Sequence, residues 1–338
     1  MGYVVKVQLS ARSASTLLTR IRLNPDAEGK TNADIPAAEE EDWQEGVHVI
    51  SESEPRIVMY PNFITSAEAD YLRDLSRWGS IEAAAANGVT VPPTQALSWD
   101  RNHPTNPARS GRTRSIHLPA PCDDATIQAI EERCAAATGI PIHPDEEPLG
   151  VRHTTTSTAD ECATRFCTAL HVDTNQGGTY RCATVLLYLH AIDAAVGGET
   201  RFPLANVSKE SPLREAAERL ADIGVTAFSP AEEQDWPPLA CRLALHAAAE
   251  SNCCGLHVRP KKGLAVVFWT HTVDGLDPYS WHAGARLPPE ATEGKLLVQK
   301  FKSLPKEWRP TCRAEAVRLP AELSPPLIHN SKRRVRFA

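Results

Sequence analysis

Ala169-Leu170-His171-Val172-Asp173 and Ala183-Thr184-Val185-Leu186-Leu187-Tyr188-Leu189-His190 are short runs rich in β-branched and apolar residues, and both read as strands. Leu149–His153, Thr200–Pro203, His257–Arg259, Gly263–Trp269 and Leu296–Phe301 have the same character and are bounded by Gly, Pro or Asn. Upstream the periodicity changes. Ala69, Leu72, Leu75 and Trp78 recur at helical spacing, with Thr65 or Ser66 placed to cap and Glu68 in the first turn, which predicts a helix over Ser66–Trp78. Ala125–Thr138 reads as a second helix between a capping Asp123 or Asp124 and a terminating Gly139. Helices followed by many short strands predict an α+β domain with a β-sandwich or jelly-roll core.

Around that core the chain divides into three parts. Residues 1–55 read as an N-terminal extension ending in an acidic linker that includes Glu39-Glu40-Glu41-Asp42, with order beginning at Arg56–Tyr60. Residues 56–310 form the folded domain, in which 205–255 interrupt the strand series as an insertion carrying a helix over Pro212–Ile223. Residues 79–110, rich in Ala, Pro, Asn and Thr, read as an irregular excursion, and 311–338 as a tail with a basic end. Within that end, Arg333-Arg334-Val335-Arg336-Phe337 fits a short phosphatase-docking pattern of a kind that often arises by chance.

The 338 residues are 42% hydrophobic, enough for a core, and the net charge of −6 argues against a dedicated nucleic-acid binder. No apolar run approaches the length needed to span a bilayer. Nine cysteines, an odd number without paired CxxC spacing, fit reduced thiols in a cytoplasmic protein, with local pairing of Cys241 to Cys253 or Cys254, or of Cys162 to Cys167, as the alternative. The first 25 residues carry Lys6, Arg12, Arg20 and Arg22 and no acidic group, a composition shared by organelle-targeting segments and by a plain strand (Tyr3–Leu9) with a short helix.

The chemistry centres on His171-Val172-Asp173. Residues two apart on a strand face the same way, so this His and Asp can hold one metal ion together. His282, beyond the turn-like Asp274–Ser280, is the best candidate for the third ligand. Two histidines and a carboxylate on one face leave coordination positions open, as non-haem iron(II) oxygenases require. Alone, His-x-Asp is more often a surface pair than a metal site.

The surroundings give the tripeptide a context. Arg181–Leu189 is followed by Gly197-Gly198-Glu199-Thr200-Arg201-Phe202-Pro203. Then come Val258-Arg259-Pro260-Lys261-Lys262-Gly263 running into Leu264–Trp269, Ser280-Trp281-His282-Ala283-Gly284, and Gly294-Lys295 with Lys300-Phe301. In this order the blocks resemble the prolyl 4-hydroxylase family of Fe(II)/2-oxoglutarate-dependent dioxygenases, of the collagen, plant and algal type. The resemblance covers about residues 56–303 and includes the Phe63-to-Trp78 helix and Ser110–Arg114.

The resemblance implies a double-stranded β-helix with supporting N-terminal helices, iron held by His171, Asp173 and His282, and Lys295 paired with the distal carboxylate of 2-oxoglutarate. It implies ascorbate as a further cofactor, O2 as co-substrate, and hydroxylation of prolyl residues in a peptide or protein with release of succinate and CO2. Oxygen-sensing relatives and nucleic-acid demethylases generally use an arginine for the co-substrate, but Arg286 lies too near His282 to match that pattern. Several positions keep two readings. Lys295 is a co-substrate anchor or a solvated strand-edge lysine. Thr200 is a hydrogen-bond donor near the co-substrate carboxylate or a strand-forming threonine. Arg181 belongs to the substrate mouth or to a structural ion pair, and Trp281 to the substrate channel or to the core. His153, His190, His246, His257 and His271 read as structural or surface residues.

Two departures from the family stand out. Arg152-His153-Thr154 occupies the place where the family usually has a tyrosine for 2-oxoglutarate, and the segment from there to His171 is long. The step from His282 to Lys295 is also longer than usual, with an extra loop over Pro288–Thr292. A hydroxylase of a free amino acid or other small molecule is therefore the runner-up, and a non-catalytic interaction module on the same fold is the rival from another class.

Overall fold

The structure, a computed structural model, describes residues 46–306 apart from 53, 79–97, 100–112, 119–123, 155–165, 175–179, 194–196, 228–235, 251–254, 273–274, 288–290 and 292. The expectations for the N-terminal 25 residues, Cys162 and Cys167, the Pro288–Thr292 loop (of which 291 alone is described) and the C-terminal tail lie outside the described residues.

The fold is rich in antiparallel sheet, with few helices. A major sheet runs in the order β1 (His48–Ser51), β2 (Ile57–Tyr60), β10 (Ala265–Trp269), β7 (Arg181–Tyr188), β14 (Lys295–Ser303), β5 (Leu149–Thr154), β4 (Thr113–Leu118), β3 (Ser98–Trp99). A minor sheet runs β6 (Phe166–His171), β13 (His282–Ala285), β8 (Thr200–Phe202), β9 (Leu256–Val258), and β11 (His271–Thr272) with β12 (Gly275–Leu276) form a small ribbon. Four helices complete the described part: α1 (Ser66–Trp78), α2 (Ala125–Thr138), α3 (Pro212–Asp222) and α4 (Trp236–Glu250).

Strand alternation sorts the buried side chains into three clusters. On one face of the major sheet Val151, Val185, Leu187, Val267 and Val298 pack with Ala69 and Leu72 of α1 and Ile127, Ile130 and Cys134 of α2. On its other face Met59, Leu186, Tyr188, Val266 and Phe268 meet Phe202, Leu256 and Val258 of the minor sheet. The outer face of the minor sheet, with Leu170 and Ala283, packs on Ala216, Ala217 and Leu220 of α3 and on Cys241, Leu245 and Ala249 of α4. The layers are therefore helices, major sheet, minor sheet and helices. The site lies between the two sheets.

The helix termini follow the sequence closely. Thr65 Oγ1 accepts from Glu68 N (3.1 Å) while Thr65 N donates to the Glu68 carboxylate (2.7 Å), a reciprocal cap at the start of α1. Asp124 Oδ1 accepts from Ile127 N (2.9 Å), and Gly139 at φ 74° closes α2 in the left-handed conformation. Ser211 caps α3 ahead of Pro212, and Ile223 sits at its C-cap.

Two stretches differ from expectation. His48–Ser51, placed in the linker, is instead an edge strand paired with β2, and Ile50 joins the inter-sheet cluster. Its run of Val49-Ile50 gives one side chain to the core, and the acidic residues around it mask that signal. The end of the insertion, for which no helix beyond Pro212–Ile223 is predicted, holds a helix over Trp236–Glu250. Prolines at 237 and 238 fall in the first turn, where the missing N–H groups have no helical acceptor. Cys241 is a buried free thiol, as are Cys134 and Cys182. No described helix is long and apolar enough to cross a membrane.

Candidate metal centre

The edge where β6 meets β13 brings the three candidate ligands together. The strands pair antiparallel with His282 directly across from His171, so both rings leave the sheet at one level, 4.3 Å apart between centroids. Asp173, two residues past His171, turns its carboxylate between them. His171 Nε2 lies 3.2 Å from Asp173 Oδ1, and His282 Nε2 lies 3.3 Å from Asp173 Oδ2. One ligand atom from each residue falls within 4.8 Å of the others, and this is the one such trio among the described residues.

Neighbouring groups fix each ligand. Thr184 of β7 donates its hydroxyl to Asp173 Oδ2 at 2.8 Å, which orients the carboxylate. Ser280 O lies 3.1 Å from His282 Nδ1 and accepts its proton, leaving Nε2 with a lone pair facing Asp173. The backbone of the motif is held from the insertion, where Thr226 O accepts from Val172 N at 2.7 Å. Phe268 stands edge-on to the His282 ring at 4.6 Å, and Phe202 lies 5.8 Å from it, so the inner side of the site is apolar.

Burial alone would push the Asp173 carboxyl up. The adjacent His282 and the hydrogen bonds to His171 and His282 outweigh it and hold the carboxyl well below the usual carboxylate range. The donor set is thus an ionised carboxylate and two imidazoles, nearly closed to water on one side. That is the composition an iron(II) ion accepts, and it lacks the thiolates that soft-metal sites use.

Lys295, the first residue of β14, lies on the inner face and is buried at 5% exposure. Its Nζ is 3.3 Å from Thr200 Oγ1 and 5.6 Å from the centre of the Tyr188 ring. Tyr188 in turn donates its phenol to Thr200 Oγ1 at 2.7 Å, and burial pushes that phenol's pKa up, keeping it neutral. Thr184 and Tyr188 lie on the same face of β7. One end of that face touches Asp173 and the other touches Thr200.

The other expected residues are placed as follows. Arg181 makes two hydrogen bonds to the Glu147 carboxylate, one of 2.6 Å, and its guanidinium stacks 3.7 Å from the centre of the Phe301 ring. Phe301 pairs across the sheet with Thr184, so Phe301 and Thr184 stand between Arg181 and the ligand Asp173. Trp281 is buried in the cluster between the minor sheet and helices α3 and α4, behind the sheet that carries His282. Arg152-His153-Thr154 forms the end of β5, with Thr154 paired to Lys295.

Three contributors were not singled out from sequence: Thr184, Tyr188 and the Ser280 carbonyl. Parity along Arg181–Leu189 contained a signal for the first two, since Thr184, Leu186 and Tyr188 must share a face.

No family model matches the chain. Among curated proteins it is 28% identical over 232 residues to the probable prolyl 4-hydroxylase 10 of Arabidopsis thaliana, covering 68% of this chain and 64% of that one. It is 29% identical over 249 residues to prolyl 4-hydroxylase 5 of the same plant, covering 73% and 68%. The chain therefore spans a little under two thirds of the length of the first of these relatives. Among solved structures, a viral collagen prolyl hydroxylase of Paramecium Bursaria Chlorella virus-1, in its 2-oxoglutarate complex, aligns with TM-score 0.40 at 13% identity, covering 74% of this chain and 96% of that one. The likeness carried by the sequence blocks thus recurs over about 70% of the chain, and it is a likeness to prolyl 4-hydroxylases.

Proposed function

We propose that this protein is an Fe(II)/2-oxoglutarate-dependent dioxygenase, built on a double-stranded β-helix, that hydroxylates prolyl residues in a peptide or protein substrate. The observation that carries the reading is the trio His171, Asp173 and His282, with ligand atoms within 4.8 Å of one another and facing the space between the sheets. The two facing antiparallel sheets support the jelly-roll assignment, and the similarity to plant prolyl 4-hydroxylases supports the substrate class.

Iron(II) bound there together with 2-oxoglutarate supplies the redox chemistry. In that reaction 2-oxoglutarate, O2 and a C–H bond become succinate, CO2 and a C–OH group. The chain's own side chains do the rest. His171, Asp173 and His282 hold the ion and leave positions open. Thr184 and the Ser280 carbonyl keep the carboxylate and the His282 tautomer in place. Lys295 and the Thr200 hydroxyl receive the distal carboxylate of 2-oxoglutarate, because a buried carboxylate needs a cation and hydrogen bonds. Tyr188 supplies a phenol on the same hydroxyl, in a role for which 152–154 offers no tyrosine. Phe202 and Phe268 exclude water from the inner side. Arg181 with Glu147 lies at the outer end of the same face and faces the substrate side.

The test is succinate formation from 2-oxoglutarate with iron(II), ascorbate and a proline-rich peptide, run beside His171→Ala, with the peptide checked for a one-oxygen mass gain. Peptide-dependent turnover that His171→Ala abolishes is the expected result. Turnover that needs the triad but ignores the peptide would replace the prolyl substrate by a free amino acid or other small molecule. A folded, iron-loaded protein with no turnover on any of these would overturn the reading.

A further inference from the structure

Lys295 opens β14, so its ammonium stands where the preceding turn puts it. That turn is tightly built. Gly294 has φ 72°, a left-handed conformation, and a Cβ there would lie 2.4 Å from Thr154 O and 2.9 Å from His153 Nε2. Two histidines from different parts of the chain hold its carbonyls. His153 Nε2 of β5 lies 3.0 Å from Glu293 O, and His190 Nε2, just past β7, lies 3.0 Å from Gly294 O. Since a carbonyl only accepts, both Nε2 atoms carry the proton.

Neither contact is incidental. His153 pairs across the sheet with Leu296, so its ring lies on the helix side of the sheet while Lys295 projects to the inner side. The turn is therefore gripped from behind the lysine it presents. His190 is 7% exposed, and its Nδ1 is buried with no hydrogen-bond partner among the described residues. The ring therefore makes its contact with the turn through Nε2, to Gly294 O. Burial also pushes His190 below the usual imidazole range, so the ring stays neutral at physiological pH.

We infer that His153 and His190 are positioning residues for Lys295: by holding the carbonyls of Glu293 and Gly294 they fix the start of β14, and with it the place of the Lys295 ammonium beside Thr200. The inference rests on the proposed role of Lys295 as the anchor of the 2-oxoglutarate distal carboxylate. Lysine has a long, flexible stem, so a fixed origin removes freedom that binding would otherwise have to remove, and a displacement of about 1 Å in such a site costs up to about 100-fold.

The experiment is calorimetric titration of the full-length Ni(II)-loaded protein, which binds without turnover, with 2-oxoglutarate and separately with pyruvate. Pyruvate keeps the 2-oxo acid head and lacks the distal carboxylate. Lys295→Ala should lose most 2-oxoglutarate affinity. His153→Leu and His190→Leu should each weaken 2-oxoglutarate about five- to tenfold, the loss of about one hydrogen bond, with pyruvate and Ni(II) affinity unchanged. His190→Gln, which keeps an N–H donor, should recover most of the loss. If His190→Leu does not fold, His153→Leu carries the same comparison, because the ratio of the two ligand affinities reads the lysine alone. A His153→Leu or His190→Leu variant that binds 2-oxoglutarate as the wild type does, or that weakens pyruvate equally, overturns the positioning role while Lys295→Ala still shows its loss. A Lys295→Ala variant with unchanged 2-oxoglutarate affinity overturns the lysine reading itself, and this inference with it.

Discussion

Strand β14 carries buried lysines on both faces, and the two faces treat them differently. Lys295 points between the sheets, where it meets the Thr200 hydroxyl and the Tyr188 ring. Lys300 and Lys302, on the helix side, are wholly buried and meet carboxylates: Lys300 lies 2.9 Å from Glu131 and 3.1 Å from Glu146, and Lys302 lies 2.6 Å from Glu146. Burial pushes Lys300 down, but the two carboxylates reverse this and raise it above its usual value. The helix-side cluster is a closed ledger of two cations and two anions. The inner lysine is set among groups that can take part in holding a carboxylate brought by a ligand. On the proposed function, one residue type on one strand thus serves stability on one face and binding on the other, and strand parity separates them.

The largest effect should come from breaking the closed cluster. Lys302→Met leaves Glu146 with less compensation and is expected to destabilise the metal-free protein by about 3–5 kcal/mol in guanidinium unfolding. Adding Glu146→Leu should restore most of that, because the remaining Lys300–Glu131 pair is neutral and both new side chains pack. A single variant costing under about 1 kcal/mol would show that the cluster is not a cooperative ion-pair network.

A further buried base sharpens the contrast. His271, 3% exposed, lies 3.1 Å from the Thr270 hydroxyl, and burial lowers its pKa to about 4. A base whose folded value is depressed favours folding fully above its unfolded value of about 6.5 and loses that contribution as pH falls through about 4. The loss amounts to about 3 kcal/mol across that window. His271→Gln, measured by denaturant unfolding at several pH values, should flatten the slope between about pH 6.5 and 4. An unchanged slope would assign the acid sensitivity to other groups.

How much of this was legible beforehand depended on distance along the chain. The ends of α1 and α2 followed from Thr65, Glu68, Asp124 and Gly139, all within one turn of what they cap. The His171 and Asp173 pair was visible in their spacing of two, although the strand predicted over Ala169–Asp173 ends at His171 and Asp173 lies just beyond it. His282 needed the block order, because its register against His171 is set across more than a hundred residues and no local pattern contains it. The partners of Lys300 and Lys302 were hidden for the same reason: parity puts the two lysines on one face, but Glu131 and Glu146 arrive from α2 and the loop after it. Strand β1 and helix α4 were masked by their own composition, acidic neighbours in one case and prolines in the other.

On the inner face the effects should be on binding. Lys295→Ala is expected to raise KM for 2-oxoglutarate about 100-fold while leaving the unfolding midpoint near the wild type, since removing a buried cation relieves desolvation as well as losing contacts. A large drop in stability instead would place Lys295 with Lys300 and Lys302 as a structural lysine, and the distinction between the faces would fall.

Tyr188→Phe should give the smallest effect and the finest test. Phenylalanine fills the same volume, so the apolar cluster of Leu186, Phe202 and Phe268 keeps its packing. What goes is the phenol that donates to Thr200 Oγ1 at 2.7 Å. Thr200 then has one donor fewer to hold its hydroxyl in the orientation that Lys295 shares, and a loss of about 1 kcal/mol is expected, or about fivefold in KM for 2-oxoglutarate. On the proposed function the phenol acts through the Thr200 hydroxyl at the carboxylate end and not on the reacting carbon, so kcat should stay within about twofold, the pattern of lost uniform binding. A fall in kcat with KM unchanged would move Tyr188 from the carboxylate end of β7 toward the chemistry beside Thr184 and Asp173. It would then be the middle of that inner face, and not its Lys295 end, that sets how 2-oxoglutarate is held.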